Sequence, residues 1–120
     1  MKKEKDSKIF LKHILESIAE IKNHIKGISE DKFFNDIKTQ DAVIRRIEII
    51  GEAVKNLPEN FKEKYPKIEW REIAGMRDKL IHGYFGVDVN TVWDTIKNDI
   101  PGLGKQISKL LKQKIIKFKK

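Results

Sequence analysis

The stretch Leu11-Lys12-His13-Ile14-Leu15-Glu16-Ser17-Ile18-Ala19-Glu20-Ile21 decides the fold class. Leu11, Ile14, Ile18 and Ile21, followed by Ile25 and Ile28, recur at alternating spacings of three and four. That spacing puts every apolar side chain on one face of a long helix. Upstream, Asp6 and Ser7 are candidate caps for its start. Downstream, Gly27, Ser29 and Glu30 mark its end, and a short segment carrying Phe33 and Phe34 is expected to lie across the other helices. Thr39 and Asp41 are expected to open the next helix, in which Val43, Ile47, Ile50, Val54 and Leu57 repeat the spacing until Pro58 stops it.

Residues 59–66 are polar apart from the anchors Phe61 and Tyr65, which predicts a connector with room for one helical turn. A third long helix is expected over residues 69–81, with Gly83 and Gly86 punctuating its end. Asp88 or Asn90 can cap a further helix bearing Val92, Ile96 and Ile100. Pro101 should bend or restart that helix, because a proline lacks the N–H donor and clashes with the preceding turn. Leu103, Ile107, Leu110 or Leu111, and Ile115 then carry the stripe to a lysine-rich end. No segment alternates with a period of two between hairpin turns, and no repeat is evident. The expectation is an all-α antiparallel helical bundle in a single domain over residues 1–120 with frayed basic ends, whose apolar faces also offer a dimer interface.

Composition narrows the chemistry. The chain has no cysteine, which removes disulfides, thiolate metal sites and a cysteine nucleophile and makes the cytoplasm the default compartment. Neither an export signal nor an apolar run of membrane-spanning length is visible. Net charge is +8, and residues 101–120 carry seven lysines and no acidic residue. Such a tail either attracts a polyanion or is the solvated face of a helix, and basicity by itself does not establish RNA binding. Phosphate-binding glycine loops, zinc-protease motifs, calcium loops and the serine-hydrolase elbow are all absent from the sequence. The three histidines, His13, His24 and His82, lack ligand-like clustering, so no metal site and no cofactor are expected.

The informative stretch is Glu69-Trp70-Arg71-Glu72-Ile73-Ala74-Gly75-Met76-Arg77-Asp78-Lys79-Leu80-Ile81-His82-Gly83-Tyr84. Trp70, Ile73, Leu80 and Tyr84 keep the helical stripe, and Arg77 fills the position between Ile73 and Leu80. An arginine on an apolar stripe either snorkels, pairs with a carboxylate such as Glu48 or Glu52, or lines a cleft. On an ideal helix Arg77 and His82 stand about 140° apart and about 7.5 Å along the axis. They can therefore flank one phosphate, the guanidinium donating to its oxygens while the imidazole handles a proton.

Arg77-Asp78-Lys79-Leu80-Ile81-His82-Gly83-Tyr84 resembles the Arg-x4-His-x-Tyr signature of the HepT-like toxins in the HEPN superfamily. Trp70, Ile73-Ala74-Gly75-Met76 and Ile50-Gly51-Glu52-Ala53 also resemble positions of that family. The resemblance implies a helical bundle of the HEPN type that forms a homodimer, with two copies of the motif facing a shared cleft. It implies a metal-independent endoribonuclease in which Arg77 stabilises the charged phosphorane and His82 is the general acid or base. Asp78 is then the supporting polar residue next to the motif arginine. The resemblance further implies RNA as substrate, a minimal nucleotidyltransferase antitoxin as partner, and AMP transfer to Tyr84 as the inhibitory modification. A phosphate added at Tyr84 would block the cleft and neutralise its positive charge.

Plainer roles exist for each residue. Arg77 can be a bundle ion pair, His82 a helix-end histidine bonded to a carbonyl, and Tyr84 an interface aromatic. Trp70, Trp93, Phe33 and Phe34 require nothing beyond packing, and Arg45 and Arg46 have Glu48 and Glu52 at ordinary helical pairing distances. The alternative to a nuclease is a non-catalytic helical module that binds a nucleotidyltransferase or a nucleotide.

Overall fold

The computed structural model describes the backbone of residues 4–80 and 86–119 and the side chains of residues 7–80 and 86–113. Two long helices, α1 (Glu4–Ile25) and α3 (Ile37–Asn56), pack side by side, and a third, α8 (Ile100–Lys119), lies on α1. Between them run the short helices α2 (Glu30–Phe34), α4 (Glu59–Glu63), α5 (Trp70–Ala74), α6 (Met76–Leu80) and α7 (Val89–Asp94). Among the described residues there is no extended strand, as the sequence periodicity predicts. No described helix is long and apolar enough to cross a membrane.

The predicted stripes are the core. Leu11, Ile14, Ile18 and Ile21 of α1 meet Val43, Ile47, Ile50 and Val54 of α3, all buried, and Ile100, Leu103, Ile107 and Leu110 close the cluster from α8. Truncating such a side chain to alanine costs about 2–5 kcal/mol in lost burial and cavity formation. Ile25 and Ile28 are only half-buried, because α1 ends at Ile25 and Gly27 turns the chain at φ 72°.

Helix starts depart from expectation at two places. Ser7 does not cap α1: the helix begins at Glu4, and Ser7 lies inside it, buried against the core. For α3 the cap is Asp36 rather than Thr39 or Asp41, since its carboxylate accepts from the Thr39 backbone N–H at 3.1 Å and from the Thr39 hydroxyl at 2.7 Å. These bonds hold the Asp36 carboxyl below its ordinary pKa, with the Thr39 hydroxyl as the larger cause. The crossing segment is fixed to α3 by Gln40, whose buried amide donates to the carbonyls of Phe33 at 2.8 Å and Phe34 at 3.1 Å. Phe33 in turn stacks obliquely on Trp93 of α7, with 5.1 Å between ring centroids.

The connector after Pro58 contains the expected helical turn, α4, with Phe61 buried beneath it. Trp70 locks its far end, donating from Nε1 to the carbonyls of Lys62 and Tyr65 at 3.2 and 3.1 Å. Asp88, one of the two candidate caps, accepts from the Thr91 N–H at 3.1 Å and starts α7.

Pro101 is the second residue of α8, so the α-helix restarts beside it as expected, with no gap in the helical chain. The preceding residues Thr95–Asp99 form a π-helical turn that passes directly into α8. A turn closed at i+5 holds more residues than an α-turn. It suits Val92, Ile96 and Ile100, whose successive four-residue steps would each drift about 40° around an ideal α-helix. All three are buried on one side.

Candidate active site

The third long helix expected from the sequence is two short ones. Gly75 separates α5 from α6 with φ −93° and ψ 7°, a bridge conformation outside the helical range. Met76 and Leu80 turn inward and are buried, so Met76, and not Arg77, occupies the position on the apolar face. Arg77 is displaced to the edge of that face and is 47% exposed, correcting the expectation of an arginine within the stripe.

Gly51 explains how α5 reaches this position. It lies in the middle of α3, and a Cβ there would stand 3.1 Å from the Ala74 carbonyl oxygen and 3.7 Å from that of Ile73. A Cβ would be crowded against that carbonyl, so a side chain at position 51 would push the end of α5 off α3 by a few tenths of an ångström. The close approach brings Arg77 over the α3 turn that carries Glu48. Arg77 Nε donates to Glu48 Oε2 at 2.6 Å, so of the two carboxylates the sequence offered, Glu48 is the partner.

Glu48 holds a second cation more loosely, with its Oε1 3.9 Å from Arg45 Nη1, the i,i+3 pair expected from the sequence. Arg77 Nη1 lies 3.7 Å from Asp78 Oδ1, an ion-pair separation beyond hydrogen-bond length. A depression of about 280 Å³ opens beside these groups, lined by Arg45, Glu48, Gly51, Glu52, Arg77 and Asp78 among others. The arrangement has a specific chemical capacity. One edge of the Arg77 guanidinium is fixed by a carboxylate on a different helix, and a guanidinium carries five N–H donors in a rigid fork suited to phosphate oxygens.

The other two singled-out residues, His82 and Tyr84, lie outside the described residues, as does the expected helix stop at Gly83. The described residues on either side of them do meet: the Asp88 N–H donates to the Leu80 carbonyl at 2.8 Å, joining the end of α6 to the cap of α7. Asp78, the expected supporting residue, is 80% exposed beside Arg77.

Gly51 is the site residue that spacing arguments alone leave without a role. Its signal was present as a glycine inside an otherwise unbroken helical pattern, where the usual cost of about 1 kcal/mol relative to alanine calls for a packing reason.

Comparison with known proteins gives the family. The sequence pattern of the family described as "Ribonuclease HepT-like" matches residues 14–110. A Thermococcus cleftensis protein named "Probable ribonuclease HepT" is 53% identical over 105 residues, covering 88% of this chain and 96% of that protein. A Caldanaerobacter subterraneus protein named "Putative RNase" is 50% identical over 104 residues, covering 87% and 93%. A Methanocaldococcus jannaschii protein named "Gamma-glutamylcyclotransferase and putative RNase" is 56% identical over 109 residues, but the match spans 91% of this chain and only 49% of that longer protein. No solved structure gives a significant match.

Proposed function

Because the chain belongs to the HepT-like ribonuclease family, we propose that it is a metal-independent RNA endonuclease, the toxin of a toxin–antitoxin pair, with Arg77 and His82 as its catalytic residues. The observation that carries this reading is the placement of Arg77. A guanidinium held at one edge by a carboxylate keeps its remaining N–H donors for an oxyanion. This one is held at Nε by Glu48, is half-exposed, and borders an open depression.

In the proposed reaction the ribose 2′-hydroxyl attacks the adjacent phosphorus. The bond from phosphorus to O2′ forms as the bond to O5′ breaks, leaving a 2′,3′-cyclic phosphate and a 5′-hydroxyl. The proton lost from O2′ and the proton gained by O5′ require an acid or base, and His82 carries one of these transfers. Arg77 donates to the non-bridging oxygens as negative charge builds on them. Asp78, at the Arg77 guanidinium, supports its orientation. Tyr84, two residues beyond His82 in the sequence, is the acceptor of AMP from a nucleotidyltransferase antitoxin, and the added phosphodiester competes with substrate phosphate for Arg77. A homodimer would set two such motifs against one RNA.

The Glu48–Arg77 pair also suits a non-catalytic module that only holds phosphate, and one experiment separates the two. Wild-type protein, Arg77→Ala and His82→Ala are incubated with diverse RNAs in EDTA, product ends are identified, and protein mass is checked for added AMP. Loss of one donor of this kind costs about 10²–10³ in rate and loss of acid–base catalysis about 10²–10⁴. Cyclic-phosphate products from wild type alone support the nuclease. Folded, unmodified protein that cuts no RNA supports the binding module, and cleavage that requires a divalent ion overturns the mechanism.

A further inference from the structure

A second concave surface lies away from Arg77, between α1 and α8. Gly104 is buried there, and a Cβ on it would stand 3.5 Å from Ile18 Cγ2, so the two helices run close together at this point. Small residues floor the resulting groove of about 420 Å³: Pro101, Gly104 and Ser108. Its rims are lysines, Lys22 from α1 and Lys105, Lys109 and Lys112 from α8, all exposed. No carboxylate among the described residues lines it.

Helical geometry makes this a directed array. Lys105, Lys109 and Lys112 fall within an arc of about 60° on an ideal helix and span about 10.5 Å along its axis. Four like charges around one groove repel one another unless a polyanion neutralises them. Among the described residues the groove offers no aromatic ring or large aliphatic side chain, and so neither a stacking platform for bases nor an apolar face to insert into a bilayer. What fits it is a run of phosphates read without regard to sequence.

The groove adjoins a second one that reaches α6. Lys105 lines a neighbouring groove of about 770 Å³ as well, together with Met76 and Lys79, the residues flanking Arg77 and Asp78 in α6. Glu69, Glu72 and Asp99 also line that second groove, so the groove without carboxylates is the one that suits phosphate.

We propose that the groove rimmed by Lys22, Lys105, Lys109 and Lys112 is a second binding site, one that takes the phosphodiester backbone of RNA and holds substrate outside the reacting centre. The inference rests on the reading of this protein as one that acts on RNA.

The test uses the full chain and a 2′-O-methyl RNA oligonucleotide, which lacks the attacking hydroxyl and so reports binding without cleavage. Lys105→Gln, Lys109→Gln and Lys112→Gln are combined in one variant, and Lys26→Gln, Lys32→Gln and Lys38→Gln in a control with the same change of net charge. The groove variant should lose about 10-fold or more in affinity at low salt, and its log–log salt slope should shrink by about 2, from roughly 0.7 per neutralised phosphate. Unchanged affinity and slope in the groove variant would overturn the site, as would an equal loss in the control. Wild-type preference for phosphatidylserine vesicles over the oligonucleotide would overturn it in favour of a membrane surface. The outcomes separate from those for cleavage: a wild type that binds through the groove but cuts nothing keeps this site and loses the nuclease, and the reverse result keeps the nuclease and loses this site.

Discussion

Glu48 Oε2 lies 2.6 Å from Arg77 Nε, a bond between the middle of α3 and the first turn of α6 that links residues 29 positions apart. Arg77 and Glu48 are 47% and 29% exposed, so solvent screens the pair and its contribution to stability is at most about 1 kcal/mol. Its larger effect is on orientation, since a guanidinium fixed at Nε loses the freedom to rotate away from a bound phosphate.

Glu48→Ala should therefore separate activity from stability. On the proposed catalytic role of Arg77, kcat for RNA cleavage is expected to fall about 10- to 100-fold with a smaller change in KM. Unfolding free energy should change by no more than about 1 kcal/mol. Glu48→Gln, which retains an acceptor oxygen, should recover part of the rate. A Glu48→Ala enzyme with full kcat would show that Arg77 needs no positioning.

Gly51 and Gly75 should differ in their tolerance of an added side chain. Gly51→Val places branched carbons against the Ala74 carbonyl, where even a Cβ would be at 3.1 Å, and overpacking of this kind costs about 1–3 kcal/mol. Gly75 has negative φ, and its nearest neighbour to a Cβ is the Arg71 carbonyl oxygen at 3.5 Å, so Gly75→Ala meets only ordinary contact. Urea unfolding of both variants checks this. Equal destabilisation would mean that the close approach of α5 to α3 is not what selects glycine at position 51.

Asp36 supplies a pH dependence with a defined sign. Its carboxyl is held below the ordinary value by the Thr39 hydroxyl and then by the Thr39 backbone N–H. A carboxyl depressed in the folded state adds stability above its unfolded pKa and loses that stability as pH falls through the lower, folded value. Asp36→Asn keeps a capping oxygen but removes the titrating group, so the variant should lose this part of the acid-limb decline in melting temperature. Asp36→Ala should be less stable than wild type at neutral pH, because the cap itself is gone. Identical acid limbs for wild type and Asp36→Asn would contradict the assignment.

The core was legible because burial follows periodicity: the stripes from Leu11 to Ile21, Val43 to Leu57 and Leu103 to Leu110 lie inside, Ile25 and Ile28 are half-buried, and the side chain of Ile115 lies outside the described residues. Less legible were features that depend on contact between distant segments. Nothing within residues 69–81 reveals that Gly51 admits the end of α5, so a helix broken at Gly75 reads as continuous, and the pattern sets Arg77 on a face that Met76 in fact occupies. The caps failed for a local reason. At the start of α3, Asp36, Thr39 and Asp41 are all competent, and only the bonds around Asp36 decide among them. Glu48 was one of two carboxylates placed correctly by spacing, and packing made the choice.

The π-helical turn at Thr95–Asp99 sets the azimuth of everything after it. Because the chain runs without interruption from α7 through this turn into α8, the direction in which each α8 side chain points is a running sum over the residues before it. A residue removed from the wide turn is absorbed when that turn closes as an α-turn, whereas one removed just after it, early in α8, swings every later side chain by about 100°. Ile107 and the lysines beside it would then exchange compass bearings, the apolar seam swinging out as the charged one swings in. The wide turn thus acts as a vernier, and the surface charge of α8 is indexed by a count of residues rather than held by any one contact.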